Sequence, residues 1–181
     1  MDITKKVWEV LLTEEEINNR ITQLGQQISE DYKGKSLLVV SLLKGSFIFT
    51  ADLVRRMDIP VKIEFMTTSS YGHAEESSGH VKILTDVSDD LSGYHVLVAD
   101  DITDSGLTMK FVMEHLMKKN PESVKCCVLL DKPDRRVVDL VPDYLGYTIP
   151  DKFVVGYGLN YGDYFRNIPY VFVVTDQDRL E

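Results

Sequence analysis

The chain has 181 residues, of which 44% are hydrophobic and 27% are charged, and this balance indicates one folded domain rather than a disordered or membrane-embedded protein. The formal net charge of −9 argues against non-specific binding to nucleic acid, because that binding depends on Lys and Arg neutralising phosphates. No apolar run approaches the roughly 20 residues of a membrane helix, and no secretory signal pattern is present. We therefore expect a cytoplasmic protein that binds neither membrane nor nucleic acid.

The first half of the chain predicts a helix followed by a strand-helix-strand unit. Residues 13–16 form a capping box, after which apolar residues recur on one helical face: Ile17, Ile21, Leu24 and Ile28. Residues 37–43 predict a buried strand, residues 46–57 a helix and residues 61–66 the next strand. The stretch 67–80 is rich in Ser, Gly and His, and we expect it to be a loop.

The second half predicts further strands and one more helix. We expect strands at 81–86, 95–99, 124–130, 153–157 and 170–174. The helix is ended by Asn120-Pro121 and is marked by apolar residues at helical spacing: Met109, Val112, Met113, Leu116 and Met117. Apolar strands without alternation, separated by helices, predict an α/β fold: a mostly parallel twisted sheet with helices on both faces.

Residues 96–108, VLVADDITDSGLT, carry the strongest functional signal. Ligands bind beyond the carboxyl ends of parallel strands, and we expect the strand to end at Ala99, so that Asp100 and Asp101 form its exit. Residues 104–108 then meet a helix N-terminus, where backbone N–H groups and two hydroxyl side chains suit a phosphate. Helix capping alone would explain this loop, but it would not explain the neighbouring acids, which suit a sugar diol or a metal.

The same stretch resembles the phosphoribosyl pyrophosphate (PRPP) signature of the type I phosphoribosyltransferases. That signature is an apolar strand, two acids, two mostly apolar residues and then Asp-Ser/Thr-Gly-x-Thr. Four more segments narrow the resemblance to the hypoxanthine-guanine phosphoribosyltransferases: LLKGSFIF from Leu42, SSYG from Ser69, LDKPDRR from Leu130 and IPDKFVVGYGLNYGDYFRNIP from Ile149. The resemblance covers residues 8–175. It implies the type I phosphoribosyltransferase fold in a single domain, 1–181, with a core at 33–150 and a small hood formed by the chain ends, 1–15 and 151–181.

The resemblance also implies roles in PRPP binding. The 5′-phosphate would be held by Asp104, Ser105, Gly106, Leu107 and Thr108. Asp100 and Asp101 would face the ribose hydroxyls, which Mg²⁺ bridges to pyrophosphate. Asp104 would also lie near N7 of the purine and act as the general base, taking its proton during attack on C1′. Thr103 stands where relatives usually carry an aliphatic residue, and it either adds a hydroxyl near the ribose or satisfies a backbone group.

Other segments would contact pyrophosphate and cover the reaction. Lys44 and Gly45 resemble a loop whose backbone binds pyrophosphate, often after a non-proline cis peptide, and Arg166 matches an arginine that reaches the same group. Ser70 and Tyr71 match a loop that closes over the reacting centre and excludes water. Without the resemblance, Gly45 would simply permit a tight turn and Arg166 would be a surface charge.

The purine would lie against three residues. Lys132 matches the lysine that donates to the 6-oxo group, and it favours 6-oxopurines over adenine because an ammonium cannot accept a hydrogen bond. Phe153 would stack on the base, and Val154 would offer backbone contacts. Taken singly, Lys132 would be a surface charge and the other two would be strand core.

These assignments predict a purine-salvage enzyme. It would transfer the 5-phosphoribosyl group from PRPP to N9 of hypoxanthine or guanine, giving IMP or GMP and pyrophosphate, with Mg²⁺ and as a homodimer or homotetramer. Asn160 stands where relatives commonly have an aspartate that helps to bind a metal, so a second Mg²⁺ at Asn160 stays an open question. The alternative is a regulatory RNA-binding or nucleotide-binding protein built on the same fold.

Overall fold

A six-stranded sheet forms the centre of the molecule, whose computed structural model describes residues 8–70 and 81–175. The strand order is β4-β3-β2-β5-β6-β7, in which β4 pairs antiparallel with β3 and the other neighbours pair in parallel. The predicted α/β fold with a mostly parallel sheet is therefore confirmed. The elements are β1 (Glu9–Leu12), α1 (Glu14–Asp31), β2 (Leu37–Leu43), α2 (Phe47–Val54), β3 (Val61–Ser70), β4 (Val81–Thr85), β5 (His95–Thr103), α3 (Leu107–Met117), β6 (Ser123–Asp131), β7 (Tyr144–Thr148), β8 (Val154–Val155) and β9 (Val171–Val173), with a 3-10 turn at Pro133–Arg135.

Helices cover both faces of this sheet. The side chains of β5 alternate, so that Leu97 and Ala99 pack with α1 and α2, whereas Val96 and Val98 pack with α3. The capping box at the start of α1 is confirmed: Glu16 N–H donates to Thr13 Oγ1 at 3.2 Å, and Thr13 N–H donates to Glu16 Oε2 at 2.8 Å. No helix among the described residues is both long and apolar enough to cross a membrane.

A second, three-stranded sheet joins the two ends of the described chain. Its order is β1-β9-β8, with antiparallel pairing throughout. Trp8 packs on Phe172 with ring centroids 4.6 Å apart, and Phe165 meets Phe172 edge-on at 6.2 Å. We propose that this sheet forms the hood. The outer parts of the predicted hood, 1–7 and 176–181, lie outside the described residues.

Several boundaries differ from the sequence-based predictions. The strand predicted to end at Ala99 continues to Thr103, because β6 pairs with it as far as Asp131. Likewise β3 runs to Ser70, where a loop from 67 was predicted, because β4 pairs with its end. The sequence predictions also missed β1 and β7. The β7 segment YLGYT lacks a run of β-branched residues, the type that favours strands. Its backbone accepts a hydrogen bond from Arg20 of α1, which donates to Leu145 O at 2.6 Å.

Candidate active site

The site lies where the chain reverses its direction across the sheet. From β2 the chain passes through α2 to β3 on one side, whereas from β5 it passes through α3 to β6 on the other. Pairing between β2 and β5 ends at Ser41 and Ala99, although β5 continues to Thr103. The loops after β2 and β5 therefore diverge and leave a crevice at the carboxyl ends of the strands, which is the ligand-binding position of such sheets.

The loop after β5 surrounds a small cavity of about 190 Å³. Its lining consists of Asp100, Ile102, Thr103, Asp104, Ser105, Gly106, Thr108 and Met109. Leu107, a predicted contact, begins α3 and is not part of this lining. Gly106 is the N-cap of α3 at φ 82°, a left-handed conformation that favours glycine, and Leu107 N–H donates to Ser105 Oγ at 3.4 Å. Ser105 therefore caps the first amide of α3, as simple helix capping predicts, and a helix N-terminus beside a cavity is also a position that suits an anion.

Asp100 and Asp101 are neighbours on β5, and their carboxyl groups interact with each other. Asp100 lines the cavity, and Asp101 lies so close to the backbone of Gly45 that a β-carbon there would collide with its Oδ2. Burial, followed by the charge of Asp101, raises the pKa of Asp100 well above its usual value; burial also raises the pKa of Asp101. Two adjacent buried carboxylates are poorly stable together unless a cation or hydroxyl donors approach them.

This donor set fits Mg²⁺ held partly by a substrate. The described residues contain no cluster of three His, Cys, Asp or Glu side chains that could enclose a metal. Mg²⁺ is nevertheless commonly held by one or two carboxylates together with substrate oxygens and water. Asp100 and Asp101 match that second arrangement.

Replacing Asp100 by Asn should stabilise the protein in the absence of ligand. Asn keeps the oxygen that accepts the 3.0 Å hydrogen bond from Asp101 N–H but removes the repulsive charge. The pKa of Asp100 is higher in the folded chain than in the unfolded chain, where it is about 4. Ionising Asp100 is therefore less favourable in the folded chain, and the free energy of unfolding of the wild type falls as the pH rises from about 4 through the raised pKa. We expect the variant to unfold about 2 to 4 °C higher at pH 8, the shift that roughly 1 kcal/mol produces in a chain of this size.

Thermal unfolding with a metal chelator and without PRPP measures this effect. The advantage of the variant should shrink toward pH 4, where the wild-type carboxyl is protonated in both folded and unfolded chains. A Tm for Asp100→Asn below that of the wild type at pH 8 would show that the carboxylates of Asp100 and Asp101 do not repel each other in the folded protein.

Two buried oxygens in the loop lack hydrogen-bond partners within the protein. They are Thr103 Oγ1 and Asp104 Oδ1. Buried polar atoms are normally satisfied, so unsatisfied ones beside a cavity point to a ligand. Of the two explanations considered for Thr103, the structure does not support a hydroxyl that satisfies a backbone group. Asp104 Oδ1 lies 3.6 Å from Lys132 Nζ, close enough for an ion pair but too far for a hydrogen bond.

The part of the site predicted to bind pyrophosphate combines the loop after β2 with residues 156–166. The peptide bond between Leu43 and Lys44 is cis, and Lys44 is exposed. Gly158, at φ 101°, packs against the carbonyl group of Gly45 so closely that a side chain would collide with it. Arg166 Nη1 donates to Gly158 O at 2.6 Å, and its charge acts on Asp101. Gly45 and Arg166 therefore meet around Asp101, and Lys44 directly precedes Gly45.

The part of the site predicted to bind the purine is built around Lys132, which is only 5% exposed although it is charged. Its ammonium lies between the carboxylates of Asp104 and Asp151, the latter at 4.0 Å. Phe153 is half exposed and meets Tyr161 edge-on, whereas Val154 is buried in β8. A buried ammonium with exposed aromatic surface nearby can select a flat ligand that carries an acceptor oxygen.

The three remaining predicted residues are Ser70, Tyr71 and Asn160. Ser70 ends β3, and Tyr71 lies outside the described residues. Asn160 uses its amide nitrogen to donate to Gly162 O, so its side-chain oxygen is the atom able to approach a cation.

Sequence reasoning missed two residues that shape the site, Arg136 and Gly158. Arg136 Nη1 donates to Asp104 O at 3.1 Å, and Gly158 supports the loop at Gly45. Arg136 belongs to the LDKPDRR segment, and its position beside a second arginine was the available signal. No local pattern would have indicated the contact of Gly158.

Comparisons with known proteins show the family to which the chain belongs. The family model described as the phosphoribosyl transferase domain matches residues 7–162. The chain is 48% identical over 176 residues to the hypoxanthine-guanine phosphoribosyltransferase of Aquifex aeolicus, covering 97% of this chain and 99% of that protein. It is 47% identical to the hypoxanthine phosphoribosyltransferase of Salmonella typhimurium, covering 92% and 95%. The crystal structure of a hypoxanthine phosphoribosyltransferase from Staphylococcus aureus superposes with a TM-score of 0.91 at 43% identity, covering 96% and 94%.

Proposed function

Because the chain belongs to the hypoxanthine-guanine phosphoribosyltransferases of the phosphoribosyl transferase domain family, we propose that the crevice described above is its active site. The protein is a purine-salvage enzyme that moves the 5-phosphoribosyl group of PRPP to N9 of hypoxanthine or guanine. The products are IMP or GMP and pyrophosphate. The observation that best supports our assignment of residues is the unsatisfied Asp104 carboxylate 3.6 Å from the buried Lys132 ammonium, beside the cavity that follows β5.

In this proposal, one set of residues acts on the purine and another set binds PRPP. As N9 bonds to C1′ and the bond from C1′ to pyrophosphate breaks, the proton on N7 passes to Asp104. Lys132 donates to the purine 6-oxo group and orients the base so that N7 faces Asp104. Phe153 covers one face of the ring, and Val154 offers its backbone to the base edge.

The loops hold the phosphates of PRPP. The amides and hydroxyls of residues 104–108 bind the 5′-phosphate, and Thr103 turns its hydroxyl toward the ribose. Lys44, Gly45 and Arg166 bind pyrophosphate and offset the charge that it gains on leaving. Ser70 and Tyr71 belong to the segment that we propose closes over the centre.

We propose that Asp100 and Asp101 hold Mg²⁺ jointly with the ribose hydroxyls and pyrophosphate. When bound, the ion would withdraw charge from the leaving group. The adjacent carboxylates support this proposal, because burial raises the pKa of both and a bound cation would favour their ionised forms.

Initial rates with PRPP, Mg²⁺ and each of hypoxanthine, guanine, xanthine and adenine test the function. Formation of IMP or GMP with release of one pyrophosphate is expected. A chain that binds RNA in a gel shift but forms no nucleotide would instead be a regulator of the alternative kind. The same rates rank hypoxanthine against guanine and xanthine, a preference that the site residues do not determine.

Asn160→Asp should lower the Mg²⁺ concentration needed for half-maximal rate. An amide oxygen can coordinate Mg²⁺ but lacks the charge that makes carboxylates good ligands for a hard cation. We expect a shift of about tenfold, since a hydrogen bond or contact to a charged group contributes roughly 1.5 kcal/mol. The titration of Mg²⁺ is made at saturating PRPP, because the added charge should also raise the KM for PRPP at low Mg²⁺.

Asp163→Asn serves as the control, because it alters an exposed residue in the same turn. An unmoved midpoint for Asn160→Asp would place Asn160 outside the coordination sphere of the metal.

We also propose that the protein forms a homodimer or homotetramer. Its cytoplasmic location stays a prediction from the sequence.

A further inference from the structure

Arg136 occupies an unusual position for an arginine, because its guanidinium is largely buried behind the loop that follows β5. Its side chain is 12% exposed, whereas the neighbouring Arg135 is 55% exposed. Arg136 Nη2 pairs with the carboxylate of Asp131, which is itself only 8% exposed. Arg136 Nη1 donates to the backbone carbonyl group of Asp104 at 3.1 Å. One guanidinium therefore joins the end of β6 to the loop after β5.

The next residues of the same segment support the back of the loop. Val137 N–H donates to Ser105 O at 3.0 Å. A β-carbon on Gly106 would lie 2.8 Å from Val138 Cγ2 and 2.9 Å from Arg136 Cδ, so residues 136–138 pack directly against it. Two successive carbonyl groups of the loop, those of Asp104 and Ser105, are thus held toward this segment.

Peptide geometry shows what those two contacts do. In a planar trans peptide the C=O and the following N–H point in opposite directions. Holding the carbonyl of Asp104 toward Arg136 turns the N–H of Ser105 the other way, and holding the carbonyl of Ser105 does the same for Gly106. Both N–H groups therefore point away from residues 136–138, and both residues line the cavity.

We infer that Arg136 and Asp131 form a positioning pair that orients the loop amides toward the 5′-phosphate. Asp131 fixes the guanidinium, and the guanidinium fixes the peptide group between Asp104 and Ser105. Because Asp131 directly precedes Lys132, the pair also links the phosphate loop to the purine-binding lysine. The inference rests on the proposed assignment of residues 104–108 to the 5′-phosphate.

The test compares ligands that differ only in the 5′-phosphate. The dissociation constants of IMP and inosine are measured for Arg136→Lys, which keeps the charge but cannot bridge two acceptors in the same planar geometry. We expect IMP to bind about 10- to 100-fold more weakly, the range for losing hydrogen bonds to a charged group, with inosine nearly unchanged. Asp131→Asn should shift IMP in the same direction, because it loosens the guanidinium.

The matched control is Arg135→Met set beside Arg136→Met. Both remove one positive charge from adjacent positions, but Arg135 contacts Asp151 at the surface. We expect Arg135→Met to leave the ratio of IMP to inosine affinity close to the wild-type value. Thermal unfolding identifies any variant that does not fold; if Arg136→Met fails in this way, Arg136→Lys and Asp131→Asn carry the test.

Thr108→Val separates failure of the inference from failure of the proposed phosphate site. If Thr108→Val weakens IMP selectively but the Arg136 and Asp131 variants do not, the positioning pair is refuted and the phosphate site stands. If none of these variants distinguishes IMP from inosine, both assignments are wrong. Equal weakening of IMP and inosine by Arg136→Lys would reveal a general structural role and would overturn the inference.

Discussion

Asp104→Asn is expected to lower kcat by about 10²- to 10⁴-fold, the contribution usual for a general base. The amide is nearly isosteric with the carboxylate but cannot take the proton that leaves N7. The backbone of Asp104, which is held by Arg136, should keep its place in the phosphate loop. The KM for PRPP should therefore change little, so that the loss is confined to the chemical step.

Single-turnover kinetics measures the chemical step directly and avoids a rate limited by product release. Asp134→Asn is the matched control, because it makes the same chemical change at an exposed carboxylate in the 3-10 turn. Its single-turnover rate should equal that of the wild type. An unchanged single-turnover rate for Asp104→Asn would remove Asp104 from the role of general base.

Lys132 is expected to favour hypoxanthine over adenine by about 10⁴-fold in kcat/KM, the discrimination typical of a site built around one buried hydrogen bond. Lys132 is 5% exposed, and its ammonium can only donate. The 6-amino group of adenine would meet it with two further donors, so the ammonium would gain no hydrogen bond from the base. Competition between the two bases in one assay measures the ratio directly.

Lys132→Gln should narrow this ratio by at least tenfold, roughly the effect of one hydrogen bond to a charged group. A glutamine amide can donate to a 6-oxo group or accept from a 6-amino group, so its preference between the bases is weak. Lys118→Gln, at an exposed position beyond α3, is the control and should leave the ratio unchanged. A wild-type ratio in Lys132→Gln would mean that another residue selects the base.

The elements predicted best were those with strong local patterns. The capping box and the apolar stripe of α1 lie within one segment, so their physical causes can be read there. The loop after β5 was equally local, since a strand, two acids and a helix start follow one another within residues 96–108. The family resemblance then extended the prediction to Lys132 and Arg166, whose residue types alone would not have indicated a site.

Sequence-based predictions of strands failed where pairing with a neighbouring strand, or contact with a residue far away in the sequence, determines whether a strand forms and where it ends. β5 continues beyond Ala99 because β6 still pairs with it after its pairing with β2 has ended. The residue pattern of β5 alone does not show where either partner strand ends. The weakly patterned β7 exists because β6 and Arg20 complete its pairing. These are interactions between residues far apart in sequence, and local propensity does not determine them.

By itself, the sequence determined the alternation of strands and helices, the α/β class, and the order of acids, hydroxyls and glycine in the phosphate loop, because short-range spacing encodes these features. Only the tertiary structure decided which groups meet. It placed Asp101 and Gly158 against Gly45, and it set Arg136 behind Asp104. The physical reason is that ligand sites in parallel sheets gather the ends of several strands, and the packing of the whole chain fixes the distances between those ends.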